Sequence, residues 1–456
     1  MKLIAWQWLA ISSMFAALAV HAETRPQYGD TLHVAMRAAP ASLDPADVTE
    51  PDSFARRNII FLVFDTLVTL ESTGQVRPAL ATSWEVSPDN KRWQFHLRKG
   101  INFHDGSALT ADAVAASLRA ANPAWNISAH SDSVIIEREN QDTEMLAELA
   151  LLHNGIAKRN PGMPPTGTGP FQVSDWDRGR KLTLAANQNY WQGRPFLDGI
   201  EIEMGKSYRD QLIRLESGKA DLVEVPAEQV HRISVQGRQL LSSAPIELIA
   251  FVFAHDAKSP EEKALRQVLA LSIDRASIRN VLLQGTGQPT GGILPTWMSG
   301  YGFVFPVEAD LPRARRERNQ VSTTPTWTLS YDSGDPMTQL LAERVSLNAK
   351  DAGLSLQATS SVAADIKLMR IPLWASDPWL ALTEAATVAG SPALQNQGGS
   401  VEELFGAEQT LLGTQRILPL FHLPVSYAAT STLRNWALRP DGAWKLDDVW
   451  LGTAQQ

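Results

Sequence analysis

Cysteine is absent from all 456 residues. That excludes disulfides, thiolate metal sites, a cysteine nucleophile and lipid attachment through an N-terminal cysteine. Beyond residue 22 no apolar run is long enough to cross a bilayer. Basic residues are in the minority, 41 Lys and Arg against 49 Asp and Glu with a formal net charge of −8. Nucleic-acid binding, which needs a basic stripe, is therefore not expected. The 9 histidines are scattered, with no HExxH and no pair at helical spacing, so a metal site is not expected either. There is no GxSxG elbow and no Walker A loop, and Gly167-Thr168-Gly169 lacks the strand-to-helix context of a dinucleotide fingerprint. An enzyme and a cofactor are both unexpected.

What is present begins with Lys2, an apolar run over 3–20, and Val20-His21-Ala22 before Glu23. This is the pattern of a secretory signal peptide over 1–22. A retained membrane anchor is the competing reading; Gln7, Ser12, Ser13 and the small-residue ending favour cleavage. The remaining residues are too many for one hydrophobic core, so two or three lobes are expected.

Residues 82–118 say most about the rest. Apolar and polar residues alternate on both sides of Pro88-Asp89-Asn90, which puts Trp84, Val86, Trp93, Phe95 and Leu97 on one face of a hairpin. Asp105-Gly106 forms a second turn, and Thr110 stands at the N-cap of a helix carrying Val114 and Leu118. Elsewhere the pattern predicts a strand over 31–36, a helix over 54–70, strands over 132–137, 169–176, 181–187 and 200–204, and a helix over 208–218. Further on it predicts a helix over 260–283, a Gly/Pro-rich loop over 285–301, and strands over 326–331 and 354–358 flanking a helix over 338–352.

Residues 79–114 resemble, almost position by position, the early region of the family 5 solute-binding proteins of ABC importers, the dipeptide and oligopeptide receptors. Ser42-Leu43-Asp44-Pro45, Thr168-Gly169-Pro170-Phe171 with Trp176, Asn187 to Trp191 with Gly193 and Pro195, and 265–278 are similar to further motifs of that family. The resemblance implies an α/β, periplasmic binding protein type II-like fold: two large lobes joined by a hinge, plus a small inserted lobe. It implies lobe I over 23–60, 166–250 and 422–456, the small lobe over 61–165, and lobe II over 251–421. Lobe II is expected to be shortened, because Leu373-Trp374-Ala375-Ser376-Asp377 arrives earlier than the corresponding family element.

By the same resemblance, Asp377 pairs with a ligand ammonium, with Trp374, Ala375 and Ser376 beside it. The alternative is that Asp377 only caps the helix opened by Pro378. Val48, Thr49 and Glu50 are cleft candidates or an ordinary acidic surface loop. Trp297 and Tyr301 are candidates on the Gly/Pro-rich loop. The implied function is a monomeric periplasmic receptor that closes on a peptide or similar small solute and delivers it to an ABC transporter permease. The trimmed second lobe motivates an alternative, a sensor or interaction protein that no longer serves transport.

Overall fold

The computed structural model describes residues 25–452 apart from 48, 50–52, 72–74, 303, 323–324, 374, 376, 392–393 and 395–399. The expected signal peptide lies outside the described residues. No described helix is long and apolar enough to cross a membrane.

Strand β1 (Thr31–Ala35) is followed by helix α1 (Phe54–Val63), whose first turn is capped by the Ser53 hydroxyl accepting the Arg56 N–H at 3.2 Å. The helix predicted over 54–70 stops early: Phe64 is extended, and Val68–Leu70 pairs as a short strand with Val76–Pro78. Next come β2 (Ala81–Val86), β3 (Arg92–Leu97), α2 (Ala111–Ala121), β4 (Asn126–His130) and β5 (Ser133–Glu137). They form a four-stranded antiparallel sheet in the order β2-β3-β5-β4. Trp93, Phe95 and Leu97 enter its core against Val114 and Leu118 of α2. Val86, predicted on the same face, lies at the end of its strand and is 44% exposed. The hairpin turn uses Asn90 at φ +52°, a left-handed position that Asn tolerates.

The remaining principal elements are β6 (Phe171–Asp177), β7 (Lys181–Ala186), β8 (Gly199–Glu203), α3 (Tyr208–Glu216), β9 (Leu222–Val225) and β10 (Gln239–Phe253), then α4 (Pro260–Ser272) and α5 (Arg275–Val281). They continue with β11 (Thr326–Ser330), α6 (Pro336–Asp351), β12 (Ser355–Thr359), β13 (Ile366–Pro372), α7 (Pro378–Val388), α8 (Val401–Gly413) and β14 (Ile417–Ala429). One eleven-stranded sheet runs in the order β12-β11-β13-β10-β14-β9-β1-β8-β7-β6, with Gln288–Pro289 added beside β14. Two large apolar cores pack on it. One gathers Leu32, Ile59 and Ile200 near β1; the other gathers Phe251, Leu269 and Val345 near β10.

The two cores are joined by β10 and β14, which run antiparallel from Gln239 opposite Ala429 to Val252 opposite Ile417. Their register shifts around Pro245 and between Ile249 and Ala250. Such irregularities bend a strand pair and interrupt its ladder. The helix predicted over 260–283 is two helices: the Asp274 carboxylate accepts the Ser277 N–H at 2.9 Å and starts α5 anew. Periodicity ran through the break because both helices turn an apolar face to the same core.

Candidate ligand-binding cleft

Three strands of the wide sheet carry a charged residue flanked on both sides by apolar ones: Glu224 in β9, Glu247 in β10 and Arg370 in β13. A charge in such a position demands a partner, because burying it unpaired is costly. These residues converge with Arg37, just after β1, on a cavity of about 350 Å³. Tyr208 from α3, Tyr427 from β14 and Asp332 from the loop before α6 also line it, with Ser53, Thr338 and Ser426.

Arg370 is the hub of one side. Its Nε and Nη2 donate to the two carboxylate oxygens of Glu247 at 2.9 and 2.6 Å, and its Nη1 donates to Asp335 Oδ2 at 2.8 Å. Glu247 and Asp335 are buried, whereas the Arg370 side chain keeps about a third of its surface open. Burial opposes its charge, but the Glu247 and Asp335 carboxylates outweigh that and hold Arg370 firmly protonated. The bidentate fork is the geometry in which arginine binds carboxylate best. Asp335 does double duty: its other oxygen accepts the Met337 N–H at 3.1 Å and caps α6.

Arg37 belongs to the other side and reaches across. Its backbone N–H donates to Glu224 Oε2 at 2.6 Å. Its Nη1 donates to the Gly334 carbonyl at 3.2 Å and lies 3.6 Å from Asp332 Oδ2. The guanidinium also sits over the Tyr208 ring, 5.5 Å from its centre. Glu224 accepts from Gln211 Nε2 at 2.9 Å; burial pushes its carboxyl up, and the Gln211 and Arg37 donors pull against that. Burial and then the Glu224 charge push Tyr208 up to about 12, so it stays a protonated donor at neutral pH. Side chains placed in this way can hold polar groups and fix their orientation in a concave site.

The candidates read from the sequence sit elsewhere or lie outside the described residues. Asp377 is the N-cap of α7, its carboxylate accepting the Leu380 N–H at 3.0 Å. Ala375 is buried in an apolar cluster with Leu373 and Trp379. Thr49 turns its N–H and hydroxyl to Asp47 Oδ1 at 3.0 and 2.6 Å. Trp297 is half exposed and donates its indole N–H to the Pro245 carbonyl at 3.2 Å. Tyr301 donates to the buried Glu408 carboxylate, which also accepts the Ile293 and Leu294 N–H groups, and its ring meets Phe405 edge-on. Val48, Glu50, Trp374 and Ser376 lie outside the described residues. None of the five described candidates lines the 350 Å³ cavity. The signal that marks Glu224, Glu247 and Arg370 is a charge flanked by apolar residues within a strand, as in Pro-Ile-Glu247-Leu-Ile and Leu-Met-Arg370-Ile.

The model of the bacterial extracellular solute-binding proteins, family 5 (middle), matches residues 75–370. The chain is 24% identical over 358 residues to the probable D,D-dipeptide-binding periplasmic protein DdpA of Escherichia coli, covering 70% of this chain and 68% of that protein. It is 26% identical over 277 residues to the nickel-binding protein NikA of Staphylococcus aureus, covering 57% of this chain and 55% of that one. The crystal structure of that NikA with Ni(L-His)2 superposes with a TM-score of 0.81 at 19% identity, over 93% of this chain and 100% of the other. A dipeptide-binding protein from Pseudoalteromonas sp. SM9913, in complex with Met-Leu, gives 0.81 at 18% identity, again over 93% and 100%. The fold is that of the type II periplasmic binding proteins.

Proposed function

Because the chain belongs to the family 5 bacterial extracellular solute-binding proteins, we propose that it is a periplasmic receptor that captures a peptide or similar small polar solute in the cavity between β9 and β13 and delivers it to an ABC transporter permease. The observation that carries this reading is the convergence of Arg37 and Tyr208 from one side with Glu247, Asp332 and Arg370 from the other on one cavity. A solute held by both sides favours the closed arrangement over the open one, since only the closed one makes both sets of contacts. The long strands β10 and β14, with their register shifts, supply the flexible connection. Export through the signal peptide at 1–22 places the mature chain in the periplasm as a freely diffusing monomer. Asp377 and its neighbours remain proposed ligand contacts.

The deciding experiment is native mass spectrometry of the protein purified gently from periplasm. The expected result is a co-purifying small solute whose removal lowers the melting temperature and whose return restores it. An empty protein that also shows no thermal shift against a panel of dipeptides, tripeptides and small metabolites would overturn the reading.

A further inference from the structure

The stretch 265–278, one of those that carry the family resemblance, contributes two arginines that the cleft does not use. Arg266 in α4 and Arg275 at the start of α5 are 2% and 3% exposed. Arg266 has a carboxylate partner in Glu262, 2.6 Å from its Nη2. Arg275 pairs with no carboxylate among the described residues. Its Nη1 donates to the carbonyls of Ala270 and Val307 at 3.3 and 3.4 Å, and its Nη2 to that of Pro419 at 2.9 Å. Carbonyl dipoles satisfy donors without cancelling charge, and a buried charge with no counter-charge is costly. Burial alone lowers the Arg275 pKa to about 10, which still leaves it protonated at neutral pH.

The two arginines, Gln267 and Gln415 line a second cavity, of about 60 Å³, otherwise walled by apolar residues that include Phe253, Leu271, Phe305 and Leu418. That is room for about four water-sized particles. The Nε atoms of Arg266 and Arg275 and the Oε1 of Gln415 are buried with no hydrogen-bond partner among the described residues. Gln415 holds a left-handed backbone at φ +54°, a conformation that costs free energy in a residue other than glycine. Because Glu262 offsets Arg266, one positive charge at this cavity, that of Arg275, is left uncompensated.

We propose that this cavity binds a small monovalent anion, a halide or a short-chain carboxylate, held between the guanidiniums of Arg266 and Arg275. One uncompensated charge calls for one negative charge, and apolar walls disfavour a divalent oxyanion, which would bring more charge than the site neutralises. The bound anion joins α4, α5 and β14 through side chains already anchored to all three. This site lies outside the 350 Å³ cleft and does not depend on which solute the cleft takes.

The test is anomalous diffraction from crystals of the mature protein soaked in sodium bromide. A bromide peak between the Arg266 and Arg275 guanidiniums is expected for a halide; no peak there at high bromide, together with no melting difference between acetate and gluconate, overturns the proposal. In solution, melting at constant ionic strength in sodium chloride, acetate or gluconate, the last too large for the cavity, separates the sources. A rise of about 2–4 °C in chloride or in acetate over gluconate is expected, and the salt that produces it identifies the anion. Equal melting in all three overturns the proposal. Arg275→Gln should abolish the difference, and the bromide experiment stands whether or not that variant folds.

Discussion

Arg37 and Gly334, 297 positions apart in the chain, are joined across the cleft by one hydrogen bond of 3.2 Å from guanidinium to carbonyl. Asp332, at 3.6 Å and largely exposed, adds a weak ion pair to the same guanidinium. The Arg37 side chain thus acts as a bridge between the two walls of the cavity, while its backbone N–H stays tied to Glu224 on its own side.

Arg37→Ala removes that bridge and keeps the Glu224 contact. A half-exposed pair of this kind contributes about 0–1 kcal/mol, so global stability should barely change. The balance between open and closed arrangements should shift toward open by up to about fivefold, since about 1 kcal/mol acts directly on it. Small-angle X-ray scattering of the solute-free protein is the measurement. An unchanged radius of gyration would rule out the bridge as a closing contact.

Arg370→Met leaves two buried carboxylates, Glu247 and Asp335, without their cation. Breaking one partner from such a cluster costs about 3–5 kcal/mol. Urea unfolding measures the loss, and adding Glu247→Gln should recover part of it.

His422, buried in β14, presents Nε2 to the Ile293 carbonyl at 2.8 Å. Burial is the main cause of its pKa falling to about 4, the carbonyl pulling the other way. Its folded-state value lies below the unfolded one, so its contribution is fully present above about pH 6.5 and is lost as pH falls toward 4. Across that window the loss amounts to about 3 kcal/mol. The variant His422→Gln should show a shallower decline than the parent over the same pH range in thermal melts. Parallel curves would refute the assignment.

Asp377 has two possible duties, and two substitutions separate them. Asp377→Ala loses the acceptor for the Leu380 N–H and should cost about 1 kcal/mol of stability. Asp377→Asn keeps a capping oxygen and should leave the melting temperature nearly unchanged. If the carboxylate also meets a ligand ammonium, Asp377→Asn will weaken binding of a free-amine solute by tenfold or more in calorimetry. Unchanged affinity would leave it as a cap alone.

Much of the local structure is legible in the residues themselves. The alternation of Trp93, Phe95 and Leu97 marks a strand with one buried face. Thr110, Ser259 and Asp377 each stand before a helical run and cap it through the side chain. Composition and periodicity are local quantities, and these elements answer to local rules. The site was less legible. Loop aromatics and Asp377 stand out in the sequence, yet the cavity is lined in large part by charges embedded in strands, where a Glu or Arg reads as noise until its partner is known.

What the sequence by itself determined is the inventory: the family, the α/β character and most element positions. Only the tertiary structure decided which charges meet. Arg37 finds Gly334, Glu247 finds Arg370 123 positions away, and Arg275 finds carbonyls and no carboxylate. The physical reason is that pairing depends on strand order and register, here β13-β10-β14-β9-β1. That order is set by burying two cores on one sheet, a cooperative outcome that no short window of residues contains.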